Sequence, residues 1–477
     1  MRRVFTRREL LGASAAALGV AALPSCGDEE YPRRAPEPEP EPVDGATLID
    51  FDPEAIAADL EAFPIGVQSS ALGNSSALLL AAASSSEAQL LRVWRDAGPG
   101  QVKLVQALEL QPQDGFLRTK VRGLGPGRYR YAFFDRGLSR RSPIGSFRTT
   151  FAPDDLRPLS IGGLVCSHQR NRPFRALELV SADPPDVLCH LGDMSYNDAA
   201  NNLDEYRALW RDQLSQAEYI AAFASAGLYA TWDDHEIDNN FSMNSVEPER
   251  FAAGRQAFLE TVAIEPGLGG RLWRSYRWGK SAEFFVLDCR SERLPATRQT
   301  SEAQYLSRAQ LDWLKDGLVK SPCRYKVILN SVPITRFPEL WAPGLADRWE
   351  GYAAQRTELI DHLVAHELPG VLFLTGDFHC GFISRIEPEG PASRYFEIAV
   401  GPTANGPNPL TILAKSGAVP RTDVFPEGQF LFGSGVVAAT TTVTLDPLNE
   451  EVAVRFVDAR SATKGNVLFD GLLPRGT

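Results

Sequence analysis

Histidine and cysteine are both scarce, six of each among 477 residues, and no two cysteines stand in a C-x-x-C pair. A disulfide-dense scaffold and a cysteine-rich zinc ribbon are thereby excluded. Charge of one sign never accumulates in the body of the chain, and 49 basic against 60 acidic residues leave a formal net charge of -11. Nucleic-acid binding, or broad binding to anionic membranes, is not expected from that balance. Long apolar runs are also missing beyond the first residues. With 44% hydrophobic and 23% charged residues, the composition is that of ordinary globular domains and not of a multi-span membrane protein. The length suits two or three domains.

The one apolar stretch of note lies near the start, from Leu10 to Leu23, after an arginine-rich opening. It is too short and too rich in Ala and Gly for a comfortable spanning helix. Residues 1–26 read as an export leader, and Thr6-Arg7-Arg8-Glu9-Leu10-Leu11 resembles a twin-arginine motif. Leu23-Pro24-Ser25-Cys26 resembles a bacterial lipobox, with Pro24 an unusual occupant. Two outcomes stay open: a lipidated Cys26 anchored to a membrane, or simple cleavage near Ala22 and a free product. Either places the protein outside the cytoplasm, in the periplasm or at the cell surface, with the twin-arginine export machinery as a partner. Residues 27–46 are rich in Pro and Glu and form an extended tether.

Two textures follow. Residues 47–155 carry short β-like runs separated by Gly, Pro and Ser, which predicts a small β-sandwich domain. This stretch has neither His nor Cys, and no chemistry is assigned to it. Residues 156–477 alternate apolar runs with amphipathic helical stretches, the pattern of an α/β layer architecture. A final pair of β-rich runs around Asp446-Pro447-Leu448-Asn449-Glu450 is expected to complete a second sheet.

Several apolar runs end directly in polar groups: Cys166-Ser167-His168, Gly192-Asp193, Asp233-Asp234-His235, Asp288-Cys289-Arg290, Asn330-Ser331 and Gly376-Asp377-Phe378-His379. In open α/β sheets ligands bind beyond the carboxyl ends of strands, so these groups are expected to converge in one crevice. An oxygen-rich set with two imidazoles suits hard or borderline cations. Two metals about 3.5–4 Å apart would activate a hydroxide between them for in-line attack on phosphorus. A single Asp after a strand is more often a turn former or helix cap than a ligand. The metal reading rests on the joint occurrence.

Gly192-Asp193-Met194-Ser195-Tyr196, followed by Thr231-Trp232-Asp233-Asp234-His235-Glu236-Ile237-Asp238-Asn239-Asn240-Phe241, resembles the signature of PhoD-like alkaline phosphatases/phosphodiesterases within the calcineurin-like metallophosphoesterase superfamily. Further segments resemble the family in order, among them VCSHQ, VLDCR, LNSVPIT, GYAAQR and LTGDFH, so the likeness extends over nearly the whole chain after the leader. The resemblance implies an α/β fold, a four-layer α/β/β/α sandwich preceded by the small β-sandwich. It also implies an exported phosphoesterase hydrolysing phosphate esters, whether small esters or a phosphodiester polymer, with a site pairing Fe3+ with Ca2+. By that likeness the metal ligands are Cys166, Asp193, Tyr196, Asp234, His235, Asp377 and His379. Thiolate and phenolate suit a trivalent iron, and oxygen ligands suit calcium. His235 would orient phosphate or protonate the leaving alkoxide, or serve purely as a ligand, and Arg290 is the candidate bidentate clamp on a phosphate oxygen. The alternative is a non-catalytic, metal-containing surface lipoprotein acting as a binding module.

The chain departs from many relatives where Ser167-His168 separates Cys166 from Gln169, making His168 an added group at the site or a surface loop residue. Asn330-Ser331 stands where other metallophosphoesterases often carry a ligand His, so Asn330 is a weak candidate. Asn239 and Asn240 either shape the pocket or form a turn. His190 reads as a hydrogen-bonded support for the site or as core. His362 and His366, four apart on a helix, lack the acidic partner of an H-E-x-x-H site and read as an exposed face. Cys189, Cys289, Cys323 and Cys380 are open to pairing outside the cytoplasm, with Cys380 also a possible thiol beside the site, and Trp232 and Trp341 read as core or rim.

Overall fold

The computed structural model describes residues 45–242, 244–460 and 465–474. The expected leader, its Cys26 and the tether through residue 44 lie outside the described residues. Among the described residues no helix is long and apolar enough to cross a membrane.

Two sheets lie face to face beneath outer helices. The first has nine strands, with Leu159–Leu164, Val187–Leu191 and Gly227–Thr231 parallel at its centre. The second has seven, with Ala282–Val286, Tyr325–Asn330, Val371–Thr375 and Phe396–Ala399 parallel. These strands are near-continuous apolar runs because both faces of each are covered. Ile161, Cys189, Leu191 and Tyr229 of the first sheet share one core with Phe284, Val286, Leu329, Leu374 and Ile398 of the second. Helices Leu203–Leu214, Ala217–Ser225 and Pro248–Thr261 cover the first sheet, while Arg308–Lys320 and Ala353–Ala365 cover the second. That is the expected α/β/β/α order.

The N-terminal sandwich forms as well, but it is not separate from this body. One layer is a seven-stranded sheet built from residues 47–148. The opposing strands Val67–Ser70, Ser76–Ala82 and Phe116–Arg122 belong to the nine-stranded sheet, joined where Ser70 pairs with Leu228. The final hairpin, Ala439–Asp446 and Glu451–Asp458, extends that same sheet by pairing antiparallel to Leu159–Leu164. Its turn is closed by Asp446, whose carboxylate accepts from the N–H groups of Leu448 and Asn449.

Because the two parallel arrays present their carboxyl ends at one edge, every expected strand-end group emerges there. Backbone bonds stitch that edge together: Ser167 N–H donates to the Asp193 carbonyl at 2.8 Å, and Gly376 N–H to the Ser331 carbonyl at 3.2 Å. Gly192, at φ +103°, allows the closest approach, since a Cβ there would lie 2.4 Å from Asp233 Cβ.

Candidate metal centre

The strand-end residues form three overlapping trios of ligand atoms, each within 4.8 Å: Cys166, Asp193 and His379; Asp193, Asp234 and His235; Asp233, Asp234 and Asp377. Asp193 joins the first to the second, and Asp234 the second to the third. Cys166, Asp193, Asp377 and His379 sit at φ of 51°, 53°, 64° and 50°, in the left-handed region that non-glycine residues seldom occupy. Such strain persists only where the surroundings over-determine it, and it clusters at functional sites.

At one end, Tyr196 donates its hydroxyl to Asp193 Oδ2 at 2.8 Å, and Cys166 Sγ lies 3.4 Å from the same oxygen. The Tyr196 ring is sandwiched, with the His168 ring centroid at 4.4 Å and the His235 centroid at 4.0 Å. His168 is therefore packed against the site, as one of its two readings expected. Asn405, from the loop after Phe396–Ala399, donates to Tyr196 Oη and lies 2.9 Å from His379 Nε2.

At the other end the carboxylates meet a guanidinium. Arg290 is fully buried, and its Nε and Nη2 contact the two oxygens of Asp233 at 2.6 and 2.7 Å, while Nη1 reaches Asp347 at 3.0 Å. The expected phosphate clamp is thus corrected: this fork already grips a carboxylate and is turned into the protein. Arg293 reinforces the arrangement through Asp347 at 2.7 Å, and Ser331 donates to Asp233 at 2.7 Å. Asp233 is consequently held by Arg290 and Ser331, while Asp234 keeps a freer oxygen.

His235 closes the middle. Its Nδ1 lies 2.8 and 3.0 Å from the two oxygens of Asp198, leaving Nε2 for the trio with Asp193 and Asp234. Glu236 acts as a clasp, accepting from Met194 N at 2.7 Å and Asp233 N at 3.0 Å. Asn240 caps the turn, its N–H donating to Asp234 Oδ2 at 2.5 Å.

The electrostatics call for cations. Burial raises Asp193 and Asp377 well above the ordinary carboxylate value, and neighbouring carboxylates add to it. Burial also lifts Asp233, which Arg290 restrains to about 6. Asp234 is pulled below its usual value because Arg290 and His235 outweigh its burial. For His235, burial opposes the charge, but Asp193, Asp198 and Asp234 raise it to about 10. Burial pushes His379 down to about 4, and the Cys166 thiol and Tyr196 phenol well up. Asp193 Oδ1 and Asp234 Oδ1 are buried without a hydrogen-bond partner among the described residues. Asp234 Oδ1 does lie 3.5 Å from Arg290 Nη2, but the unpartnered Asp193 Oδ1 within a strained trio fits a bound metal ion.

Other candidates fall away from the site. Both ring nitrogens of His190 are buried without a partner among the described residues, so the expected hydrogen-bonded support is corrected to core packing. His362 and His366 bond to the carbonyls of Lys315 and His362. Asn330 accepts from Cys289 and Trp349, and Trp232 donates to Asp288 from within the core. Trp341 is buried with Phe337 and Phe378. The described cysteines are buried and unpaired with one another. Asp198, Asp347 and Asn405 were not singled out from sequence, because each lies in a loop and meets the site only through the fold.

Residues 161–424 match the model of the PhoD-like phosphatase family. The chain belongs to that family. The PhoD-like match spans the strand ends that bear the candidate ligands, from Cys166 to His379. Alkaline phosphatase D of Bacillus subtilis (strain 168) is 27% identical over 320 residues, covering 57% of this chain and 54% of that protein. The chain thus spans about half the length of this curated relative. A solved structure of PhoD superposes with a TM-score of 0.71 at 19% identity, covering 87% of this chain and 90% of that one. A purple acid phosphatase from yellow lupin (Lupinus luteus) seeds superposes with a TM-score of 0.62 at 10% identity, covering 86% of this chain and 74% of that one. At those identities the two structures establish the shared metallophosphoesterase fold.

Proposed function

We propose that this PhoD-like protein is an exported, metal-dependent phosphoesterase, acting as an alkaline phosphatase or phosphodiesterase. The observation that carries the reading is the set of three buried ligand trios linked through Asp193 and Asp234. Cys166, Asp193, Tyr196 and His379 would hold ferric iron, since thiolate, phenolate and imidazole suit a more polarising ion. Asp193, Asp234 and Asp377 would hold calcium through oxygen. Bound ions would supply charge against the phosphoryl oxygens and acidify water to make it a nucleophile at moderate pH.

The chain's own residues do the rest. Asp198 holds the His235 ring by Nδ1, so Nε2 is the nitrogen left either to bind an ion with Asp193 and Asp234 or, when no ion takes it, to carry the proton for a leaving alkoxide. Arg290 fixes Asp233 and keeps the strand-end turn in place, a positioning role. The leader reading completes the proposal: twin-arginine export, then either lipid attachment through Cys26 or release.

Turnover of bis-p-nitrophenyl phosphate and of p-nitrophenyl phosphate, with and without chelator, tests the class. Chelator-sensitive hydrolysis is expected, and the ratio of the two rates reports diester against monoester preference. Folded, metal-loaded protein inert on both esters would count against this reading and favour the binding-module alternative.

A further inference from the structure

The loop from Val400 to Asn408 is a strap across the site. Thr403 N–H donates to the Val165 carbonyl at 2.7 Å, Ala404 N–H to the Cys166 carbonyl at 3.1 Å, and His168 N–H to the Ala404 carbonyl at 2.9 Å. Asn408 Nδ2 donates to the Phe378 carbonyl at 3.0 Å, between the ligands Asp377 and His379. The strap therefore joins the turn that carries Cys166 to the turn that carries His379.

Asn405 sits between these anchors, 6% exposed. Its own N–H donates to the Val437 carbonyl at 2.9 Å, and its Oδ1 accepts from Gly406 N–H at 2.7 Å. That second bond settles the orientation of the amide, because only the oxygen can accept. The Nδ2 hydrogens must then face Tyr196 Oη and His379 Nε2. Tyr196 commits its hydroxyl hydrogen to Asp193, so the amide meets a lone pair of the phenol oxygen.

We propose that Asn405 is a positioning residue that donates to Tyr196 Oη, fixing the phenol beside His379 and weakening its electron donation to the metal; this rests on the reading of Tyr196 as an iron ligand. Asn405 is excluded as a ligand through Oδ1, which is turned to Gly406. A donated hydrogen bond lowers the energy of the oxygen lone pairs, and partners of this kind orient ligands and tune the metal.

The test uses the full chain loaded with ferric iron, comparing wild type with Asn405→Leu, which removes the donor, and Asn405→Asp, which keeps the shape but offers no N–H. Both variants are expected to move the visible phenolate-to-iron absorption to longer wavelength. Competition against a chelator should show iron affinity lower by roughly 10-fold or more. If the Leu variant fails to fold, the Asp variant alone gives both readouts. A band and an affinity unchanged in the folded variants overturn the role of Asn405 while leaving the ligand reading intact. A wild-type protein that binds ferric iron without such a band overturns Tyr196 as a ligand, and the Asn405 proposal with it.

Discussion

The two ends of the site solve different problems. Around Cys166, Tyr196 and His379 the groups are few, polarisable and desolvated, and they are held by hydrogen bonds to Asp193 and Asn405 and by ring stacking, with no guanidinium among them. Around Asp233, Asp234 and Asp377 the carboxylates are crowded, and buried Arg290 pairs with the first two while Arg293 shares Asp347 with it. The first end has donors to give, while the second must first be kept from repelling itself. A buried aspartate at a strand end is therefore not a ligand by virtue of its position. Asp233 is occupied by Arg290 and Ser331, whereas Asp193 Oδ1 has no hydrogen-bond partner among the described residues and Asp234 Oδ1 meets only the edge of Arg290, at 3.5 Å.

Asp193 ties the Cys166 end to the middle of the site, and its loss should have the largest effect. Asp193→Asn is expected to reduce kcat by more than the roughly 10–100-fold that removal of an outer partner costs. Steady-state kinetics alongside metal analysis checks it, and full metal content with normal turnover would remove Asp193 from the centre. Asp198→Asn touches only the bond that orients His235, so kcat should fall within that roughly 10–100-fold range with metal retained. Equal losses in the two variants would erase the distinction between ligand and orienting partner.

Arg290→Met separates the ends in stability. It leaves Asp233 buried without its partner, for which a loss of about 3–5 kcal/mol in unfolding free energy is expected from urea denaturation. A variant of unchanged stability but raised KM would restore the phosphate clamp that the geometry argues against.

The smallest effect is a pH trend in metal-free protein. Asp233, raised to about 6 from 3.8, and His235, raised to about 10 from 6.5, both bind protons more tightly folded than unfolded. Their stabilisation is complete below the unfolded values and is lost as pH rises through about 6 and then about 10. Asp234, shifted down, contributes in the opposite sense at acid pH. Metal-free protein should thus lose thermal stability from pH 5 to pH 9, and metal ions should restore it more at pH 9. Melting curves at both pH values, with and without metal, would show a flat profile if the crowded end carried no excess charge.

Much of this was legible in sequence because a strand end is a local pattern. An apolar run that stops at Gly-Asp or Asp-Asp-His marks both the strand and the side chain beyond it, and Asp193, Asp234, His235, Asp377 and His379 all follow that rule. The misreadings share a cause. The function of Arg290 depends on which carboxylate folds against it, and nothing around residue 290 states that. His190 stands three residues before Asp193, yet its strand alternates faces. Val187, Cys189 and Leu191 pack between the sheets, while Leu188 faces the helices, and His190 lies on that same face. The merger of N-terminal strands into the larger sheet is equally silent in local sequence. The Ser70–Leu228 pairing that merges the sandwich into the larger sheet joins residues far apart in the chain.

The left-handed backbone at Cys166, Asp193, Asp377 and His379 sets the fold against its own chemistry. Glycine would relax each of those four positions. A search for heat-resistant variants that ignores turnover would therefore drift towards replacing these candidate ligands with glycine.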